Sequence, residues 1–418
     1  MEINGSSSEK LPLATLLRVF VPFALGYFLS YLYRVVNAVI APDLVADAGL
    51  DAASLGLLTS TYFLTFGLFQ LPLGILLDHY GPRRTEAGLL LFAAAGALIF
   101  AASNSLFGLT VGRALIGLGV SACLMAAFKA YVMWFPSDRL PLINGLQMAA
   151  GGLGALTGTA PVEAALQLTG WRGVFVILAA CTAIAALIIF LSVPERSHHV
   201  RVPGVGMAVQ LRGVGRVFSS QKFWCIAPWT VTSQASFLSI QGLWAGPWLR
   251  DVAGLDRGTV ANCLAVIAVA MISGFVIMGT LAERLSRRGI RPMQIAAFGM
   301  SIFLGLLGLL ILQWTDAALA VWILFGFFGT SSILPYAVLS QSFPPQLAGR
   351  ANTGLNLIVF LAAFVAQWAI GVWIDLWPKT ADGGYATHGY QAAFIMMLAL
   401  QILGMIWYML SAKRSAMT

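Results

Sequence analysis

The chain has 418 residues, of which 59% are apolar and only 10% charged, with a mean hydropathy of +0.86. A soluble domain of that size would need far more polar surface, so a soluble globular class is excluded. The net charge of +8 is spread through loops and needs no nucleic-acid partner to explain it.

A bilayer core takes about 20 apolar residues per helix. Twelve such stretches run over 17–41, 54–77, 87–104, 107–134, 141–165, 173–193, 222–248, 258–281, 292–313, 317–341, 351–376 and 391–411. The first lacks a cleavage motif and is followed by eleven more, so it is expected to be a membrane helix and not a removable signal. Short cytoplasmic loops collect Lys and Arg. Loops on one side hold 17 basic residues, the other side 4, and three fall inside spans. Both termini are therefore expected in the cytoplasm, with the chain crossing the plasma membrane (the inner membrane in a bacterium).

In the first span Arg34 lies 16 residues past Arg18, about 24 Å deep at 1.5 Å per residue. Tyr27, Tyr31, Arg34 and Asn37 recur at helical spacing and share one stripe. A charge at the bilayer centre costs about 2.5 to about 17 kcal/mol on different scales. A guanidinium flanked by hydroxyls and an amide suits a carboxylate, sulfonate or phosphate, which its fork binds in bidentate fashion. The alternative is an arginine snorkelling to the outer interface with help from Asp43 or Asp47.

After the second span, residues 74–84 read GILLDHYGPRR, with Asp78, Arg83 and Arg84 at the basic side. The fourth span holds the other two embedded cations, Arg113 and Lys129. They are 16 residues apart, rotated by about 160° at 100° per residue, and so do not share a face. Arg113 reads equally as a cavity residue or as a donor to the backbone of a neighbouring helix. Lys129, near Pro136, reads equally as cavity lining or as a side chain snorkelling to the cytoplasm. In the fifth span Gly154 and Gly158 form a close-packing pair, and Pro161 invites a bend. All 16 acidic residues fall in loops or near span ends, Glu163 and Asp375 being nearest to burial. The interior is thus expected to be cationic without carboxylate partners.

Residues 194–221 are basic and rich in glycine, the composition of a linker between bundles at 1–193 and 222–418. Beyond it, Gln234, Gln241, Tyr336 and Asn356 are the neutral polar groups expected to complete a binding site, while Trp244 and Trp248 are expected as interfacial anchors. Residues 279–288, GTLAERLSRR, repeat the earlier motif 205 positions on (74 to 279), with Glu283 and Arg287 in place of Asp78 and Arg83. Phe135-Pro136 with 144–147 and Phe343-Pro344 with 353–356 also correspond, as do Arg113-xxx-Gly117 and Trp322-xxx-Gly326. A half-chain repeat in a membrane protein is how secondary transporters are built.

On these motifs the chain resembles the major facilitator superfamily over essentially its whole length. Residues 74–84 match that family's G-x-L-x-D-x-x-G-x-R-R loop signature at every defined position, and Arg113-xxx-Gly117 resembles its fourth-helix motif. The resemblance implies an all-α membrane protein of twelve helices in two pseudo-symmetric six-helix bundles. It implies gating roles for Asp78, Arg83, Arg84, Glu283 and Arg287, and a coupling or cavity role for Arg113. The first helix also resembles that of the anion:cation symporters and organophosphate antiporters, where an arginine contacts the anion.

The function expected is secondary transport of a small organic anion by alternating access, coupled to protons or to anion exchange. Arg34, Tyr31, Asn37, Arg113, Gln234, Gln241, Tyr336 and Asn356 are the expected substrate residues, with Lys129, Glu163 and Asp375 as coupling candidates. A proton-driven exporter of drugs or metabolites is the alternative, and a membrane sensor a more distant one. No phosphate loop, nucleophile elbow or metal-ligand spacing points to an enzyme, a cofactor or a metal. A monomer is expected, with lipid, substrate and protons or a counter-anion as its partners.

Overall fold

A computed structural model describes residues 15–136, 139–195, 207–380 and 383–417, and every regular element among them is helical. Twelve long helices follow the apolar stretches: α1 (16–48), α2 (52–80), α3 (82–102), α4 (Leu106–Trp134), α5 (140–169), α6 (171–192), α7 (221–251), α8 (Arg257–Ser286), α9 (Pro292–Ile311), α10 (Thr315–Gln341), α11 (Pro345–Ile374) and α12 (Thr387–Met417). Large apolar side chains such as Leu98, Leu187, Phe298 and Val365 are exposed on their outer faces, as lipid contact requires.

Local chemistry sets the helix ends. Asp51, Ser105 and Asp256 cap α2, α4 and α8, accepting from the backbone N–H of Ser54, Gly108 and Thr259 at 2.7, 3.2 and 3.1 Å. At the other, basic end, Gly81 turns the chain between α2 and α3 at φ 76°, a conformation that favours glycine, and Pro82 starts α3.

Helices α1–α6 and α7–α12 form two bundles that meet along α2 against α11, α5 against α8, and α1 against α7. Gly154 sits against the backbone of Phe28 in α1, where any Cβ would collide with its carbonyl, so the expected packing role of that glycine is visible. Part of the 194–221 stretch is more ordered than its composition implied. Met207–Phe218 is a helix whose Val214 and Val217 are buried while Arg212 and Arg216 are exposed, and it packs on α11. Residues 196–206 lie outside the described residues.

Five helices are interrupted mid-length: α5 turns at Gly158–Thr159 without a counterpart in α11, while the other four interruptions lie at matching places of the repeat. α1 breaks at Val36, α4 turns at Ser121–Ala122, α7 widens over Ile240–Trp244, and α10 tightens over Thr330–Ile333. Such irregularity at membrane depth is tolerated where protein or a cavity can satisfy the freed backbone groups.

Candidate functional site

Helices α1, α4, α7 and α10 surround a central cavity of about 300 Å³, with further walls from α2, α5, α8 and α11. It extends from the level of Arg34 and Gln241 towards the basic end, where the lining residues Met125 and Ile333 are 37% and 39% exposed. Most of its surface is apolar and aromatic: Phe66, Phe128, Phe237, Phe275 and Phe360, with Met125, Met148 and Met271.

Among the described residues, Arg34 is the only charged one in that lining. Its guanidinium carbon lies 4.4 Å from the Tyr31 ring centre, 5.4 Å from Phe66 and 5.5 Å from Phe360. Ring faces stabilise a cation by roughly 0.5–2 kcal/mol each, well short of what a carboxylate partner gives in a dry site. Among the described residues no carboxylate pairs with it, and its Nε has no hydrogen-bond acceptor. Asp43 and Asp47 do not draw it to an interface: they pair with Arg257 and Arg172. Facing Arg34 across the cavity are Gln234, Gln241, Tyr336, Asn352 and Asn356. Tyr336 donates to Asn356 Oδ1 at 3.3 Å, while the side-chain oxygens of Gln234 and Asn352 are buried without partners.

The opposite end is shut by contacts between the bundles. Arg257, at the start of α8, grips Asp43 of α1 with two bonds of 2.9 and 2.6 Å and Glu163 of α5 with a third of 2.7 Å. Asp375 of α11 accepts from the backbone N–H groups of Ala52 and Ala53 at 3.0 and 2.6 Å, and so caps α2 from the other bundle. Gln367 donates to Thr59 at 2.7 Å. The molecule is therefore latched at this end and open at the basic end.

A family model described as Major Facilitator Superfamily matches residues 23–367. The chain belongs to the major facilitator superfamily. A probable sulfoacetate transporter of Cupriavidus necator is 25% identical over 83% of this chain and 85% of that protein. A probable hexose phosphate transport protein of Chlamydia trachomatis is 21% identical over 94% and 90%. Among solved structures, a bacterial homologue of the human lysosomal transporter Spinster superposes with a TM-score of 0.74 at 16% identity, over 96% of this chain and 97% of that one. This superfamily member is thus a multi-pass secondary transporter, not an enzyme.

The cavity brings together six of the expected residues: Tyr31, Arg34, Gln234, Gln241, Tyr336 and Asn356. Two lie elsewhere. Arg113 is 1% exposed behind the cavity wall, where it donates to the Tyr33 carbonyl at 3.1 Å and lies over the Tyr62 ring. Asn37 is buried past the break in α1, and neither of its side-chain polar atoms has a partner. Lys129 reaches the basic end, bonding Leu77 O and pairing with Asp78, so Asp78 is held within its own bundle here. Arg83 and Arg84 both face Glu195 at the end of α6, and Glu283 pairs with Arg287 on the surface of α8. Glu163 and Asp375 belong to the latched end and not to the cavity.

Two further expectations are corrected. Trp244 and Trp248 are not interfacial anchors: both are essentially fully buried, Trp244 donating to Gln367 O and Trp248 stacking edgewise on Trp322. Nor are Glu163 and Asp375 the acidic residues nearest to burial, because Glu86 of α3 is 0% exposed. Gln70 and Ser121 also line the cavity without having been anticipated; each is a single polar residue in an apolar run, and only the break in α4 could have drawn attention to Ser121.

Proposed function

We propose that this carrier moves a small organic anion across the plasma membrane, with Arg34 holding the anionic group. The single observation that carries this reading is a lone guanidinium, in a cavity between the bundles, without a carboxylate to neutralise it. An uncompensated cation at that depth is costly, and an anion that fits the fork removes the cost. The Tyr31 ring lies against the guanidinium, and Gln234, Gln241, Asn352, Asn356 and Tyr336 offer neutral donors and acceptors for the rest of the solute. A volume of about 300 Å³ lies at the lower edge of the range of ligand cavities, which suits a short solute. Sulfoacetate and hexose phosphate, the solutes in the names of two relatives, each carry a strongly acidic group.

Alternating access then follows as movement of the bundles 1–193 and 222–418 about the 194–221 connection. The latch at Arg257 and Asp375 parts while Asp78, Arg83, Arg84, Glu283 and Arg287 close the basic end, which the positive-inside rule puts in the cytoplasm together with both termini. The aromatic and methionine lining would also suit an exporter of apolar metabolites, the second reading.

A thermal-shift screen separates the two, since a ligand that binds the folded state stabilises it by mass action. Sulfoacetate, glucose 6-phosphate, glucarate, organic cations and neutral apolar solutes form the panel, run on the wild type and on Arg34→Ala. Stabilisation by anions that disappears in the variant supports the anion carrier. Stabilisation by cations or apolar solutes that survives the substitution overturns it in favour of the exporter.

A further inference from the structure

The polar groups of the cavity wall fall into two sets, those bonded within the protein and those left for a solute. Gln70 donates to the carbonyls of Phe66 and Ser121, Ser121 to that of Leu118, and Ser30 to that of Val120. On α10, Thr330 and Ser332 donate to Phe327 O and Gly329 O of the same helix. What remains is arranged at two poles. Arg34 stands at one; the amides of Gln234, Gln241, Asn352 and Asn356, with the Tyr336 hydroxyl, stand at the other. The rest of the wall is mainly apolar.

Charge sets the first constraint. Among the described residues the lining holds a single cation, and the other embedded cations of the first bundle bond elsewhere, Lys129 to Asp78 and Leu77 O, Arg113 to Tyr33 O. One guanidinium offsets one negative charge. A second carboxylate at the far end of a solute would lie among neutral amides, where an unpaired charge is heavily penalised. A phosphate monoester leaves a similar excess, because its second pKa of about 6 makes it largely dianionic near neutrality.

Hydrogen bonding at the amide pole sets the second. Asn356 Oδ1 has a donor in the Tyr336 hydroxyl at 3.3 Å, whereas the side-chain oxygens of Gln234 and Asn352 have none among the described residues. A half-turn about its last torsion lets an amide present either its oxygen or its NH2 group. A hydroxyl satisfies both, since it donates and accepts. A carboxylate satisfies only the NH2 group, and an alkyl chain neither. A site that bonds a hydroxyl strongly rejects the analogue lacking it, because its own groups are then left unpaired. The phenylalanines do not oppose this, for the C–H faces of a polyol are themselves apolar.

We propose that the solute is a hydroxylated monoanion, with a single carboxylate or sulfonate seated on Arg34 and hydroxyl groups on the carbon chain that reaches the amides of the second bundle. Sugar acids and short hydroxy acids with one acidic group are the chemical class. That assignment rests on the anion reading of Arg34 above and narrows it. Sulfoacetate, glucarate and hexose phosphates, each with more than one negative charge, rank below singly charged hydroxylated acids of similar size.

Two size-matched ligand sets test the ranking on the purified carrier at neutral pH, with apparent affinities taken from melting temperatures over a range of ligand concentrations. The six-carbon set is gluconate, glucarate, hexanoate and sorbitol; the three-carbon set is glycerate, tartronate, propionate and glycerol. Within each set the second member exchanges the terminal alcohol for a carboxylate, the third removes the hydroxyls and the fourth removes the acid. In at least one set the first member is expected to bind about tenfold or more tightly than the other three, and to lose its stabilising effect in Arg34→Ala. Gln234→Leu combined with Asn352→Leu is expected to abolish the preference for hydroxylated over alkyl monoanions while leaving the dependence on Arg34. The wild-type ranking decides by itself if that double variant fails to fold. A dicarboxylate or alkyl acid that matches the hydroxylated monoanion in both sets, and is still lost in Arg34→Ala, overturns the hydroxylated monoanion and leaves the anion reading standing. No stabilisation by any member of either set overturns it too, with the anion reading then decided by sulfoacetate and glucose 6-phosphate. Binding that survives Arg34→Ala, or sorbitol or glycerol matching the acids, removes both together.

Discussion

The two bundles divide the chemistry unequally. The first contributes Arg34 to the cavity and keeps Arg113 and Glu86 buried behind it. The second contributes amides and a hydroxyl, Gln234, Gln241, Asn352, Asn356 and Tyr336, and its own buried carboxylate, Asp251, is fully partnered. A duplicated architecture has therefore kept matching interruptions in α1 and α7 and in α4 and α10, though not the turn of α5 at Gly158–Thr159, while its polar groups have diverged. In this account the first bundle decides that the solute is anionic, and the second decides which anion.

That division can be broken most forcefully at Arg34. Replacement by alanine removes two charge-assisted hydrogen bonds to the solute, roughly 3 kcal/mol, and is expected to weaken anion binding about 100-fold by calorimetric titration. Arg34→Lys keeps the charge but not the fork, so it should fall between the two. Next in size comes Arg257→Ala, which leaves Glu163 buried without its cation. Glu163 is nearly buried while Arg257 is 42% exposed, so the cost is discounted to roughly 1–3 kcal/mol and is read as a lower melting temperature together with a shift towards opening of the latched end. In the second bundle Asn356→Ala should cost about 1 kcal/mol, a fivefold to tenfold loss of affinity that differs between anions of different length. A uniform loss across all anions would mean that the second bundle does not discriminate.

Smallest is the acid response of the caps. Hydrogen bonds from Ser54 and Thr259 hold the Asp51 and Asp256 carboxyls below the usual range. Their contribution is complete above the unfolded value of about 4 and is lost as pH falls through the lowered folded values. Melting curves should show slightly steeper acid destabilisation in the wild type than in Asp51→Asn.

The helices were legible because each needs about twenty apolar residues, and the polar punctuation between them is sparse. Arg34 stood out because charge is rare at that depth, and its helical stripe with Tyr31 pointed to one face. Periodicity along a helix does not say which neighbour that face meets, which is why Arg113 and Asn37 were grouped with the cavity although one binds a backbone carbonyl and the other lies past a helix break. Trp244 and Trp248 mislead for a related reason: closeness to a helix end does not reveal that α1, α10 and α11 enclose it. Glu86 was the harder case. It lies two residues beyond Arg84, close enough to the loop to pass for a surface acid, and only the lateral fit against Gly26, Cys123 and Ile189 shows that it is sealed.

The most direct test of the central claim is a cryo-electron microscopy structure of the carrier with the anion that stabilises it most in the screen. The account predicts the acidic group within about 2.7–3.0 Å of the Arg34 guanidinium, with the remainder of the solute against Gln241 and Asn356. Density for the solute that leaves Arg34 uncontacted, whether deeper among the phenylalanines or at the Arg257 end, would contradict it.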